Sequence, residues 1–310
     1  MTTYNYRAEP QKFAKNGNYI SFTQHWASWG DLLADAETGA KALVSEGNDS
    51  YMPVREGLGG DTFHFESHSE SQKAAYFGWA EGTQKLLSSV DAIADQIGDI
   101  AETISNHMLY DVAGELPDVG AYCAGVAEHM ISWPMDQASK PVVKLAIGVS
   151  KPFFVSAEQS ANWGAAVIAL VDALELAGRD VELTLYAAAR CTAGKSKSGA
   201  RRLQYVTVKP AGEHIDRDRL AYVLVSADML RRTMLSALGH EDKYAYTSSY
   251  GVPLHLSDFD NLSKIAPTLS EALPLTDLSS TNRDSCRAYN TPQSALDTIL
   301  FWAKDNGVLA

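Results

Sequence analysis

Residues 141–190 read PVVKLAIGVSKPFFVSAEQSANWGAAVIALVDALELAGRDVELTLYAAAR, and their order decides the fold. The apolar run at 142–149 predicts a buried strand. A loop follows, then an apolar helix over 161–177, a turn at Gly178 and a second buried strand over 181–188. Near-continuous apolar runs of this length mark strands covered on both faces. Strand, helix, strand is one βαβ unit, and it implies an α/β class. Such folds bind ligands in the loop after the first strand. Here that loop holds none of the usual ligand-binding groups.

Toward the C-terminus, LQYVTVK at 203–209 predicts the next strand. Residues 216–242 predict two consecutive helices with a break near Ser226–Asp228. Residues 244–275 are turn-rich, with Gly251, Pro253, Pro267 and Pro274. The chain closes on a predicted helix over 292–305, with Pro292 in its first turn.

Toward the N-terminus, DLLADAETGAKALVS at 31–45 has helical spacing. Residues 57–68 read as a loop entering a short extended segment. Leu86, Leu87, Val90, Ile93, Ile97, Ile100 and Ile104 give an amphipathic helix from Gln84 to about 105, and Gly78 and Gly82 interrupt the stretch before it. Pro117 precedes a short predicted helix over 118–127. A polar turn in composition at 136–140 divides a mainly helical region, 1–138, from an α/β domain, 139–310. The helix at 161–177 is apolar nearly all round, so it is expected to lie buried beneath the N-terminal helices, with partners for Asp172 and Glu175.

The 310 residues are 45% hydrophobic and 21% charged, as in soluble globular chains. Three scattered cysteines have no metal-ligand spacing and fit a reducing compartment. No apolar run reaches the roughly 18 residues of a membrane span, and residues 1–18 lack the apolar core of a secretory signal. The net charge of −12 opposes binding to phosphate backbones and to anionic membranes.

Two resemblances add to this reading. The βαβ unit resembles a von Willebrand factor A-type domain, whose Asp-x-Ser-x-Ser motif ends the first strand and binds a divalent metal. The matching positions are Gly148, Ser150 and Pro152. Only Ser150 matches, as a vestige of the motif, so the resemblance does not carry the metal with it; hard cations depend on such oxygen ligands. Residues 70–240 are also similar to a family of uncharacterised bacteriophage proteins. That likeness rests on YFGWAEGTQKL at 76–86, DVAGELPDV at 111–119, EHMI at 128–131, SAEQSANWGAAVIALVDALE at 156–175 and MLRRTMLSALG at 229–239. It implies a phage origin and the cytoplasm of an infected bacterium, and it implies no reaction.

ARCTAGKS at 189–196 fits a loose phosphate-loop pattern after a strand. A true phosphate loop opens directly into a helix, whereas a strand-like run follows here. The same stretch is the clearest basic cluster, with Arg190, Lys195, Lys197, Arg201, Arg202 and Lys209. It is a candidate grip for a phosphate backbone or an acidic protein. His64, Glu66 and His68 share a face if extended, but no further ligand is identifiable and no metal is assigned. Asp228 reads as a helix-start acid, with Arg231 and Arg232 facing solvent, pairing with acids or anchoring an interface. Trp79 with Gly78 and Gly82 suggests a close helix contact. No nucleophile elbow or catalytic triad is visible, and no catalytic residue or cofactor is assigned.

The expected architecture is α/β, with a von Willebrand A-like or Rossmann-like sheet in the C-terminal half and a mainly helical N-terminal region. The expected function is a non-enzymatic phage protein that binds another protein, of phage or host. Binding residues are expected among Arg190, Lys195, Lys197, Arg201, Arg202, Arg231 and Arg232. One alternative is a nucleic-acid-associated factor using the 190–209 loop. Another is an enzyme whose site is assembled from loops near Ser150.

Overall fold

A computed structural model describes residues 11–12, 20–47, 53–57, 64–91, 109–113, 116–132, 141–152, 154–190, 201–237, 252–275, 278 and 284–309. The strands are β1 (Gln11–Lys12), β2 (Ile20–Trp26), β3 (Leu109–Asp111), β4 (Leu116–Pro117), β5 (Met130–Ser132), β6 (Val142–Gly148), β7 (Asp180–Arg190), β8 (Arg201–Lys209), β9 (Val252–Pro253) and β10 (Leu273–Pro274). The α-helices are α1 (Trp29–Ser45), α2 (His68–Phe77), α3 (Ala80–Asp91), α4 (Val119–Cys123), α5 (Ala157–Leu176), α6 (Arg217–Val225), α7 (Leu262–Ile265), α8 (Pro267–Ser270) and α9 (Pro292–Asp305). A π-helix spans Met229–Met234.

The βαβ unit forms as expected. β6 and β7 pair in parallel, from Val142 opposite Asp180 to Gly148 opposite Tyr186, and α5 connects them. β8 lies antiparallel to β7, and β10 lies parallel to β6 on its other side. The order β1-β2-β8-β7-β6-β10 makes a mixed sheet, with β9 on the end of β7. β2 pairs in parallel with β8, so the sheet draws strands from both sides of the division at 138. A separate small sheet, β3-β5-β4, also falls in the region expected to be mainly helical. The class is α/β.

Side-chain alternation explains why β7 reads as one apolar run. Val181, Leu183, Leu185 and Ala187 enter the main core, while Tyr186 and Ala188 enter a second cluster with Leu203, Tyr205, Phe259 and Leu269. Successive residues of a strand point to opposite faces, and here both faces are covered.

α5 is the centre of the main core. Residues 160–171 of this helix are all buried, with Trp163 fully so. Ser156 caps it: its hydroxyl accepts from Gln159 N (3.1 Å) while its own N–H donates to Gln159 Oε1 (3.0 Å). The N-terminal helix α3 packs on it, with Ser89 Oγ donating to Asn162 Oδ1 at 3.2 Å. A Cβ on Gly164 would stand 3.2 Å from Leu224 and 3.5 Å from Leu86, so glycine sets the approach of α6 and α3 to α5. The two charges in the C-terminal part of the helix find partners at its edge. Asp172 pairs with Arg217 at 3.1 Å and Glu175 with Lys209 at 2.5 Å. One continuous core joins the halves, as the helix's all-round apolarity implied.

Four expectations change. His64–His68 is not an extended segment with three ligands on one face, because His68 opens α2. Ser67 Oγ accepts from Glu70 N at 3.0 Å, and this Ser-x-x-Glu capping signal outweighs the alternation. Gly78, at φ 88°, ends α2 and separates it from α3. The rest of the predicted helix beyond Asp91 lies outside the described residues. The second helix of 216–242 begins as a π-helix rather than an α-helix. The short helix at 118–127 contracts to α4, where Asp118 Oδ1 accepts from Ala121 N at 3.0 Å.

Candidate functional site

β6 ends at Gly148, with β7 on one side and β10 on the other. The crevice outside strand C-termini, where the order turns back, is the usual ligand position in open α/β sheets. Val149 N still bonds Tyr186 O (2.9 Å), and Ser150 is buried. Beyond them lies a cavity of about 230 Å³ whose walls include Lys151, Ser156, His64 and Arg231. Ser156 brings the N-terminus of the 20-residue helix α5 to this wall, where the helix dipole favours negative charge.

Lys151 stands where the loop enters the core. Its Nζ donates to the Leu224 and Val225 carbonyls at the C-terminus of α6, and lies 5.8 Å from the Trp163 ring centroid. These contacts satisfy two carbonyls that the helix end leaves open. Burial pushes the Lys151 amine down to about 7, and the Arg231 guanidinium adds to the effect. Burial likewise lowers Arg231, while Asp228 opposes that shift. The Arg231 guanidinium and the Lys151 amine, the latter charged below about 7, thus share one small space. Close cations repel, and an anion placed between them relieves the repulsion.

A buried ionic network fixes this wall from beneath. Asp228 and Arg232 are both 0% exposed and meet at 2.8 Å, Oδ1 to Nε. Asp228 Oδ2 accepts from His64 N (2.7 Å) and Ser226 Oγ (3.0 Å). Burial still raises the Asp228 carboxyl, the hydrogen bonds and Arg232 opposing it. Arg232 donates to the carbonyls of Arg55, Phe65 and Glu66, each at 3.2 Å, and so ties the N-terminal loop to the π-helix. The His64 ring lies 3.3 Å (Nδ1) from Ser226 Oγ and rests on Trp79, ring centroids 4.8 Å apart. Gly82 leaves room for Trp79 in turn, since a Cβ built there would collide with the ring. Gly78 abuts Asp218 at the start of α6. The close helix contact expected of the two glycines therefore holds for Gly78, whereas Gly82 makes room for an aromatic ring. Next to the network, the Tyr222 hydroxyl sits between Ser71 Oγ (2.8 Å) and Thr233 Oγ1 (2.7 Å).

The structure disperses the expected binding residues. Arg231 lines the cavity, while Arg232, its neighbour in sequence, takes the acid-pairing alternative and does so inside the core, with Asp228. π-helical segments frequently mark functional sites, and this one carries both arginines. Arg190 and Arg201 face one another across β7 and β8. Arg201 Nη1 donates to the Asp258 carbonyl, and Arg201 Cζ lies 5.9 Å from the Phe259 ring centroid. Arg202 is only 3% exposed, and Lys209 is buried with Glu175. Lys195 and Lys197 lie outside the described residues. Ala189 and Arg190 belong to β7, and Arg201–Lys209 is a strand, so the ARCTAGKS stretch leads into a sheet strand. No group of three or more potential metal ligands occurs among the described residues, and none of their helices is long and apolar enough to cross a membrane.

Sequence reading missed that Lys151 and His64 line one cavity with Arg231, because the three converge from distant parts of the chain. The one local signal was Lys151 itself, a charged residue directly after a buried strand. No curated protein matches the chain, and no solved structure matches it. A model of the family described as domain of unknown function DUF7192 matches residues 15–295, and the chain belongs to that family.

Proposed function

We propose that the chain is a von Willebrand A-like interaction module, without catalytic activity, that docks on another protein by taking an acidic side chain into the Lys151–Arg231 cavity. In this reading it is phage-encoded and works in the host cytoplasm on a phage or host component. The observation that carries it is the Arg231 guanidinium beside the Lys151 amine, which a bound anion would hold in its charged form, in a cavity at the end of the first strand of the βαβ unit. The resembling domains hold a metal cation at this place. Here Gly148 supplies no carboxylate to anchor one, and side chains supply the positive charge instead. The analogy is one of fold and does not by itself give a function; the charge and the cavity argue for an anionic group. A guanidinium matches a carboxylate with two parallel hydrogen bonds, and helix N-termini add to the attraction.

The test is calorimetric or NMR titration with a blocked peptide containing one central Glu, beside the Gln version. The Glu peptide binds, the Gln peptide binds at least tenfold more weakly, and Arg231→Gln removes the difference. Equal binding of both peptides, or binding indifferent to Arg231→Gln, refutes the reading.

A second reading is favoured by one observation, an amine brought to about 7 beside Ser150. Such a lysine is poised to attack a carbonyl compound, forming an imine with loss of water. Incubation with simple aldehydes and ketones under borohydride would then leave a mass increment on Lys151. An unmodified Lys151 removes this reading.

A further inference from the structure

A second cavity, about 620 Å³, lies between α1 and α2, away from the β6 end. Its walls are matching stripes, Glu37, Ala40, Lys41 and Val44 on one helix and His68, Gln72, Lys73 and Tyr76 on the other. Residues spaced by three and four share a helix face, so the two stripes run side by side as a groove. Large apolar groups stand open at its rim: Phe77 is 86% exposed, Val44 55% and Tyr76 48%.

The floor of the groove is polar and unsatisfied. Gln72 is 8% exposed, and neither its amide nitrogen nor its amide oxygen has a hydrogen-bond partner. His68 Nε2 is also buried without a partner. His68 Nδ1 lies 3.1 Å from the Pro53 carbonyl, which can only accept, so Nδ1 carries the proton. Burial lowers the ring's pKa, and the neutral ring leaves Nε2 as an acceptor. Buried polar groups are almost always paired, so an orphaned amide needs a reason.

We infer that this groove binds an apolar peptide segment of a partner protein, one that brings an Asn or Gln carboxamide onto Gln72 as the Gln72 side chain turns toward it. A carboxamide offers one donor and one acceptor side by side, the complement of another carboxamide. A carboxylate would satisfy only the Gln72 NH₂ and leave its oxygen unpaired. A hydrocarbon would satisfy neither. Glu37 and Glu56 on the walls balance Lys41 and Lys73, and Lys41 is already paired with Glu37 at 2.7 Å, so the groove offers no surplus of positive charge to a phosphate-bearing ligand. An amphipathic segment in a groove between helices is a recurrent mode of peptide recognition, and Phe77, Tyr76 and Val44 are suited to its apolar anchors. The inference adds a second surface to the interaction reading above, and the two are tested by different variants.

The experiment selects from a displayed library of random 12-residue peptides on the whole protein, then measures the enriched peptides by fluorescence anisotropy. Enriched sequences carry Asn or Gln between apolar residues. They bind Gln72→Leu at least tenfold more weakly and bind Lys151→Met as they bind the wild type. Gln72→Leu melts no lower than the wild type, because it removes an unpaired buried amide. That separates lost recognition from lost folding. The inference is overturned if no peptide is enriched, if the peptides lack a carboxamide, or if they bind Gln72→Leu equally well. Loss of binding on Lys151→Met alone overturns it too, and transfers the peptides to the β6 cavity.

Discussion

Replacing Lys151 by Met tests the buried amine directly. Methionine keeps the unbranched length and the contact with Trp163 but cannot donate to the Leu224 and Val225 carbonyls. The folded protein brings the amine from 10.5 down to about 7. At about 1.4 kcal/mol per factor of ten, that difference amounts to about 5 kcal/mol of stability that depends on pH. The sign follows from proton counting. Between the two values the unfolded chain holds more protons than the folded one, so stability rises with pH. The contribution is complete above 10.5, declines as pH falls and is absent below about 7. From pH 7 to 9.5 the wild type should gain about 3 kcal/mol through this group. The charged and titratable groups facing it are Arg231 and His64 across the cavity, with Asp228 and Arg232 beneath. Subtracting Lys151→Met from the wild type cancels effects common to both, such as repulsion from the net −12. Urea unfolding followed by tryptophan fluorescence at pH 6, 7, 8.5 and 9.5 gives the difference curve. A flat curve would refute the burial of the amine and the cavity electrostatics built on it.

Three further outcomes follow from the same region. Asp228→Asn leaves Arg232 buried without its counter-charge and should cost about 3–5 kcal/mol in urea unfolding, with much of the loss recovered in Asp228→Asn/Arg232→Met. Gly82→Ala forces the Trp79 ring off its seat and should cost about 1–3 kcal/mol, with a changed tryptophan emission; an unchanged melting curve would contradict the close seating of the ring on Gly82. Tyr222→Phe removes the hydroxyl between Ser71 and Thr233 and should cost about 1–3 kcal/mol, measured in the same way.

The parts of the fold that were legible in the sequence are those where one local pattern decides. The β6–α5–β7 unit was visible because both strands are covered on both faces and the helix has no polar stripe. α9 was visible in full because Pro292 opens it and the apolar spacing continues to its end. β2 was not legible: ISFTQHW has no continuous apolar run, and its place beside β8 is set by a pairing far away in the chain. Thr23 and Gln24 are buried there, with Gln24 Oε1 accepting from Gln204 at 2.8 Å, so polar residues that read as exposed lie inside. The π-helix was hidden because nothing in MLRRTM distinguishes it from an α-helix.

The candidate site was legible only in pieces. Ser150 marks the end of the first strand, and Arg231 reads from the sequence as a solvent-facing, acid-pairing or interface residue. Their meeting through Lys151, and the burial of Arg232 one residue on, depend on tertiary packing. The basic cluster at 190–209 read as one exposed patch, yet strand alternation turns Arg202 inward. Charge counts in sequence do not tell a solvated cation from a buried one.

The most direct test of the interaction reading is affinity purification of the tagged chain from the cells that make it, with nuclease treatment, beside an Arg231→Gln variant of equal stability. The account predicts one protein partner, in stoichiometric amount and resistant to nuclease, that is lost from Arg231→Gln. A partner retained by Arg231→Gln, or recovery of nucleic acid in its place, would contradict it.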